Sequence, residues 1–177
     1  MTQTQQTPRA PDLSRWETGT REITWALPGQ GDFEALAQLD GLAQLKAIEE
    51  GLMPPPPVMS LIDVCGFRTD LGAVEVDMQA QSFHYNPLGM VHGGMISTIL
   101  DTAAACAVHS TLAVGEGYTS LDLNVKFLRA VRVETGLVTA VGTVLNRGRR
   151  TALAQAELRD QAGKLLAHAT SSCMIFS

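Results

Sequence analysis

Five residues in the stretch NPLGMVHGGMISTILD, Asn86 to Asp101, are of types that can handle a carbonyl or a proton: Asn86, His92, Gly93, Gly94 and Asp101. Pro87 and Gly89 favour a tight turn. Gly93 and Gly94 then bring bare backbone to a helix start, where the first amides have no partner within the helix and the helix dipole is positive. An oxygen gaining negative charge can sit there, and a glycine lets it approach the N–H closely. One such donor is worth about 3 kcal/mol in a transition state. Plain packing is the alternative for both glycines. Asn86 either caps the loop or orients a substrate carbonyl or a water. His92 either assists Asn86 or braces the loop through hydrogen bonds.

Asp101 interrupts the apolar run that follows. An ionised carboxylate in such a helix is costly unless paired or hydrogen-bonded, and no Lys or Arg stands between Arg68 and Lys126. Its neighbours one turn away, Ser97, Thr98, Ala104 and Ala105, are all small. Asp101 therefore either looks out over a space or is held by Ser, Thr or backbone donors, at a subunit interface for example.

The elements that must position these residues follow from periodicity. From Gly93 to Val108 the chain carries Met, Ile, Leu, Ala, Cys and Val on all sides, which predicts a helix without a solvent face, wrapped by sheet or by a second subunit. Two strands precede it, VMSLIDVCGFRTD and GAVEVDMQA, joined near Asp70, Leu71 and Gly72. After it, Leu121, Leu123, Val125 and Phe127 alternate with polar residues, which places Thr119 on the same apolar, helix-facing side. Strands near 132–146, 149–159 and 164–176 complete the chain, with turns at Asn146, Arg147 and Gly148 and at Asp160 to Gly163. Upstream, Phe33, Leu36, Leu39, Leu42, Leu45 and Ile48 recur at a helical spacing up to Gly51, and the four prolines before Val58 form a stiff connector. Residues 1–32 read as a mobile tail or loosely docked arm. The division is thus 1–53, tail and amphipathic helix, and 54–177, an α+β domain of antiparallel sheet around one long helix. A sheet of that size has exposed edges, which predicts self-association through an edge strand.

Composition narrows the function. The chain has 177 residues, 45% apolar and 18% charged, and its charge-free stretches are broken too soon to cross a bilayer, so a membrane partner is not expected. The amino terminus has neither the basic start nor the apolar stretch of a secretory signal, which predicts a cytoplasmic protein. Cys65, Cys106 and Cys173 are odd in number and lack metal-ligand spacing, so neither a disulfide framework nor a metal is expected. A net charge of −5 speaks against nucleic acid. The charge is uneven, however: residues 112–177 carry 8 basic and 5 acidic groups. That local excess suits a compact polyanion, such as the phosphates of a nucleotide-like cofactor, or else an ordinary solvated strand face.

The pattern Asn86, Pro87, Gly89, His92, Gly93, Gly94 and Asp101, followed by TSLDLNVKFLRAV, the Gly148-Arg149-Arg150 turn and a final D-x-x-G hairpin, resembles the hotdog-fold acyl-CoA thioesterases of the phenylacetate-pathway type, within the 4-hydroxybenzoyl-CoA thioesterase superfamily. The resemblance runs from the prolines before Pro57 to about Ile175, roughly two thirds of the chain. It implies a hotdog fold, a curved antiparallel sheet around one central helix, here with an N-terminal helical extension. It also implies a homodimer joined edge to edge, paired into a dimer of dimers, with acyl-CoA as substrate. Coenzyme A is then part of the substrate, and no separate cofactor is expected. Carried over by position, Asn86 and Gly93 hold and polarise the thioester carbonyl, supported by His92 and Gly94, while Asp101 and Thr119 of the other subunit position the attacking water. In one branch the hydroxyl comes from the helix one turn after the acid; here that position is Ala105, which leaves Thr119 as the donor. Arg147, Arg149 and Arg150 crowd a turn and suit the phosphates of coenzyme A.

A thioester carbonyl is already reactive, so a polarising amide and a carboxylate acting as general base, or as nucleophile, suffice without a serine triad or metal. Two alternatives remain open at this level. One is a hotdog hydratase or dehydratase using His92 and Asp101 as acid and base. The other is a non-catalytic acyl-CoA sensor or scaffold.

Overall fold

The computed structural model describes residues 12–177. The first part of the expected tail, residues 1–11, lies outside them. In chain order the elements are α1 (Gln30–Leu36), α2 (Gly41–Glu49), α3 (Pro57–Leu61), β1 (Val64–Asp70), β2 (Ala73–Gln79), α4 (Gly93–His109), β3 (Gly117–Ser120), β4 (Asn124–Phe127), β5 (Leu137–Arg147), β6 (Thr151–Asp160) and β7 (Leu165–Phe176). The sheet is antiparallel with order β1-β2-β5-β6-β7-β3, and β4 follows β3 along the same side of β7.

α4 lies across β2, β5, β6 and β7. Its inward residues Ile99, Leu100, Ala103 and Ala107 are fully buried against Val76, Met78, Val138 and Ala140. Burying Ile99 or Leu100 contributes roughly 2 kcal/mol each. The sheet beneath the helix is built of small residues, Ala140, Gly142, Ala154, Ala156, Ala167 and Ala169, which lets the two layers approach closely. Gly142 marks the closest approach: a Cβ there would run into the Ala103 carbonyl of α4. No helix among the described residues is long and apolar enough to cross a membrane.

Three expectations are corrected. The leucine spacing from Phe33 to Ile48 spans two helices, because Asp40 caps a new one: its carboxylate accepts the Ala43 N–H at 2.8 Å. α1 buries none of its residues. Secondly, Pro57 starts the short helix α3, a position where its missing N–H costs nothing, so the first strand begins only at Val64. Thirdly, the strand after α4 breaks in two. Ser120 pairs with Cys173 while Asn124 pairs with Thr170, a slip of one residue between β3 and β4. Asp122 fastens the break: its carbonyl accepts the Ser171 hydroxyl and its carboxylate accepts the Ser172 N–H.

The N-terminal extension is docked at both ends of the domain. Arg21 pairs with Asp63 at 3.1 Å, donates to the Ser60 and Leu61 carbonyls, and stacks 4.1 Å from the Phe83 ring centroid. At the other end the Gly41 N–H donates to Leu112 O, and the His109 ring meets the Gln44 side chain at 2.9 Å. Between them, Glu49 of α2 accepts both the backbone N–H and the hydroxyl of Thr69 on β1, at 2.9 and 2.7 Å.

Candidate active site

α4 starts at Gly93 because His92 caps it: Nδ1 accepts the Gly94 N–H at 2.9 Å. The His92 N–H donates to the His84 carbonyl at 2.8 Å, so His92 braces the loop. His84 is fully buried, and its Nδ1 accepts the Gln81 N–H at 3.2 Å. Burial holds its imidazole below the usual histidine range, and the ring is a neutral brace that the sequence did not reveal. Burial likewise lowers His109, where a helix C-terminus alone would favour a cation.

Asn86 sits in the turn before the helix. Its side-chain oxygen accepts the Leu88 N–H at 2.9 Å and the Met90 N–H at 3.4 Å. That leaves its amide nitrogen as a donor with no acceptor among the described residues. The Gly93 N–H has no acceptor among them either, as the first turn of a helix requires of something. Asn86 and Gly93 line one cleft of about 340 Å³ with Met90, Ile96, Phe127 and Arg129. The Phe127 ring lies flush on Gly93, 3.0 Å from where a Cβ would be.

Asp101 lies two turns further along α4. The hydroxyls beside it are taken: Ser97 donates to the Gly93 carbonyl at 2.8 Å, and Thr98 donates to the Gly94 carbonyl at 2.9 Å. Among the described residues its carboxylate accepts one hydrogen bond, a long one of 3.4 Å from the Ser120 hydroxyl. Burial pushes the Asp101 carboxyl above the usual carboxylate range, and Ser120 pulls partly the other way. The same environment pushes the nearby Cys106 thiol up to about 12, by burial first and the Asp101 charge second. Among the described residues Asp101 is thus neither caged by hydrogen bonds nor paired with a cation.

Thr119 is not on the helix-facing side of its own chain. The one-residue slip after β3 reverses the alternation, so Ser120, paired with buried Cys173, faces Asp101, and exposed Thr119, paired with Met174, points away. Its hydroxyl contacts only the Ser120 carbonyl, at 3.5 Å. In the arginine turn, Arg147 is committed to Glu116 at 2.7 Å and to the Gly148 carbonyl, whereas Arg149 and Arg150 are exposed and line a groove of about 470 Å³. This turn lies at the far end of α4, since β5 meets Gly72 at Val144 and Gly72 meets Ser110 just past the helix. That is about 25 Å from Gly93 for a helix of this length.

The structure therefore brings Asn86, His92, Gly93 and Gly94 together, and keeps Asp101 apart from them within one chain. The eight residues from Gly93 to Asp101 rise about 12 Å along the axis.

Comparison with known proteins agrees with this architecture. A model of the thioesterase superfamily matches residues 88–167. Proteins of Vibrio cholerae and Haemophilus influenzae that each carry the name "Putative esterase" are 31% and 32% identical over 94 and 104 residues. Those alignments cover 53% and 59% of this chain; the chain spans 61% of the first protein's length and 72% of the second's. Human acyl-coenzyme A thioesterase 13 is 29% identical over 97 residues, 54% of this chain and 68% of that one. Among solved structures, a phenylacetic acid degradation-related protein of Ralstonia eutropha JMP134 superposes with a TM-score of 0.66 at 34% identity, covering 73% of this chain and 98% of that one. The chain belongs to the thioesterase superfamily and has its hotdog fold.

Proposed function

We propose that the protein hydrolyses an acyl-CoA thioester to the free acid and coenzyme A. The carbonyl oxygen enters the cleft of one chain, where the Gly93 N–H and the Asn86 amide donate to it. The negative charge that develops on it falls at the positive end of α4. Asp101 of a second chain takes a proton from water, which attacks the carbonyl carbon. The thiolate leaves and the proton passes to it or to solvent. Burial suits Asp101 to this task by making its carboxylate more basic than an exposed one. No metal or redox group takes part in this scheme.

The observation that carries the reading is the pairing of two unsatisfied donors, Gly93 N–H and Asn86 Nδ2, on one apolar cleft. This reading requires a homodimer: the helix that presents the donors holds its own acid about 12 Å away, so in it a second copy brings one in. The open flank of α4 beside the β3 edge supplies the surface for it. Thr119, turned away from its own Asp101, is left free to meet the partner's site. Thiol release from a panel of acyl-CoA esters, with Asp101→Asn beside the parent, tests the proposal. Loss of at least about 100-fold in kcat is expected from a variant that keeps its fold. Unchanged turnover in Asp101→Asn rejects the acid, and no release from any ester rejects the activity.

A further inference from the structure

The N-terminal arm is held by charge rather than by its apolar residues. From residue 12 to residue 27 every residue is exposed except Arg21 and Ile23, and Trp16 and Trp25 stay more than half exposed, at 57% and 59%. The Arg21 guanidinium supplies the hold. One nitrogen donates to the Leu61 carbonyl at 3.1 Å, and the other donates to the Ser60 carbonyl and to Asp63, the latter at 3.1 Å. Both carbonyls end α3, where the last turn leaves them without a partner inside the helix. The guanidinium carbon also sits 4.1 Å over the centroid of the Phe83 ring.

Two routes lead from this guanidinium to the loop that carries Asn86. The first is a line of hydrogen bonds. Asp63 is the one residue other than glycine, among the described residues, with a left-handed backbone, at φ of 61°, a conformation that aspartate tolerates better than most. While one of its carboxylate oxygens takes Arg21, the other accepts the Gln81 side-chain amide at 3.4 Å. The Gln81 N–H donates to Nδ1 of the buried His84 at 3.2 Å, and the His84 carbonyl accepts the His92 N–H. The second route is direct: Phe83 belongs to the short 3-10 turn Ser82–His84, which ends two residues before Asn86. Beside that contact the arm and the turn stand apart across a groove of about 440 Å³ lined by Glu17, Gly19, Thr20 and Ser82, which leaves the guanidinium to join them.

We infer that Arg21 is a positioning residue for the reaction: from the N-terminal arm it fixes the loop that aims the Asn86 amide at the substrate carbonyl. The inference rests on the acyl-CoA reading above, which gives Asn86 its task. Asn86 donates to an oxygen whose charge grows in the transition state, so a loosened loop costs turnover more than binding. Arginine suits this joint because its planar fork meets two carbonyls and a carboxylate while its face lies on an aromatic ring, which the compact ammonium of lysine does less well.

The test is a double-mutant cycle on thiol release, run well below the melting temperature of every variant. Arg21→Ala is expected to lower kcat about tenfold and to change KM by less than about threefold. Arg15→Ala, on the same arm but with its guanidinium over the arm's own Trp16, is expected to match the parent. Placed beside Asn86→Ala, a residue that acts through Asn86 costs under about twofold more, whereas a general loosening of the fold costs the same tenfold in either background. A parental kcat in Arg21→Ala overturns the inference, and so does an undiminished loss beside Asn86→Ala. If Arg21→Ala does not fold, Arg21→Lys takes its place, with a loss of about threefold expected alone and none beside Asn86→Ala. If the parent hydrolyses no ester, the thioesterase reading fails by itself, and hydrogen–deuterium exchange still decides the joint. Amides 81–92 are expected to exchange about tenfold faster in Arg21→Ala while those of β5 and β6 keep the parent's rates. Equal exchange in that segment, or a rise spread over the whole chain, overturns it.

Discussion

Asn86→Ala and Asp101→Asn should each be nearly inactive alone and restore activity when forced into one dimer. The magnitude comes from α4. A water that attacks must lie within hydrogen-bond reach of the carboxylate and next to the carbonyl carbon, which brings acid and amide donors to within about 6 Å of each other. Gly93 and Asp101 of one helix are about 12 Å apart along the axis, and the backward tilt of the Asp side chain recovers only about 2 Å of that. In the proposed mechanism a site therefore takes its donors from one chain and its acid from the other. In a dimer of the two variants, one site inherits both substitutions and the other neither. Co-expression under two different affinity tags and tandem purification isolates that mixed dimer. Its thiol release should reach about half the parent's rate per dimer, against at least about 100-fold less for either variant alone. A mixed dimer no more active than either variant alone would refute the shared site and the distance argument together.

Three further outcomes follow from the geometry. Activity should fall on the acid side as Asp101 takes up its proton. Ser120→Ala removes the one group that lowers that carboxyl's pKa, so the acid limb should move to higher pH; a limb that stays put or moves down contradicts the assigned pairing. The linkage sign is that of a raised acid: ionised Asp101 costs native stability at neutral pH, and the cost disappears as pH falls below the unfolded value. Asp101→Asn should accordingly melt no lower than the parent at pH 7. Gly142→Ala should destabilise by about 3 kcal/mol in denaturant titration, because the methyl meets backbone rather than a yielding side chain. A cost under about 0.5 kcal/mol would mean that α4 slides away from the sheet freely.

What could be read from the sequence was local. The start of α4 at Gly93, the loop from Asn86 to His92 and the hairpins of β5, β6 and β7 are written in glycines, prolines and alternation within a few residues of one another. Gly163 takes the left-handed backbone its turn requires, with φ of 77°. The errors share a different origin. The slip between β3 and β4 is set by Ser171 and Ser172 of β7, some fifty residues from Asp122, so an unbroken alternation through Thr119 put the wrong hydroxyl beside Asp101. Arg147 is withdrawn by Glu116, 31 residues away. Two misread boundaries did leave a local sign: Asp40 before Gly41, which the regular leucines masked, and Pro57 at the start of α3. Pairings of distant residues decide which of several equivalent side chains meets the acid, and alternation carries no trace of them.

The Glu49 carboxylate on Thr69 has a consequence for how copies of the chain can meet. A β-sheet is a two-ended template, and each free margin invites a stranger's backbone. By occupying the Thr69 amide on the outer side of β1, α2 blocks part of that margin, and the opposite one is interrupted where the ladder jumps register between β3 and β4. In the proposed dimer, pairing between copies would use the β3 and β4 side of the sheet rather than the β1 side.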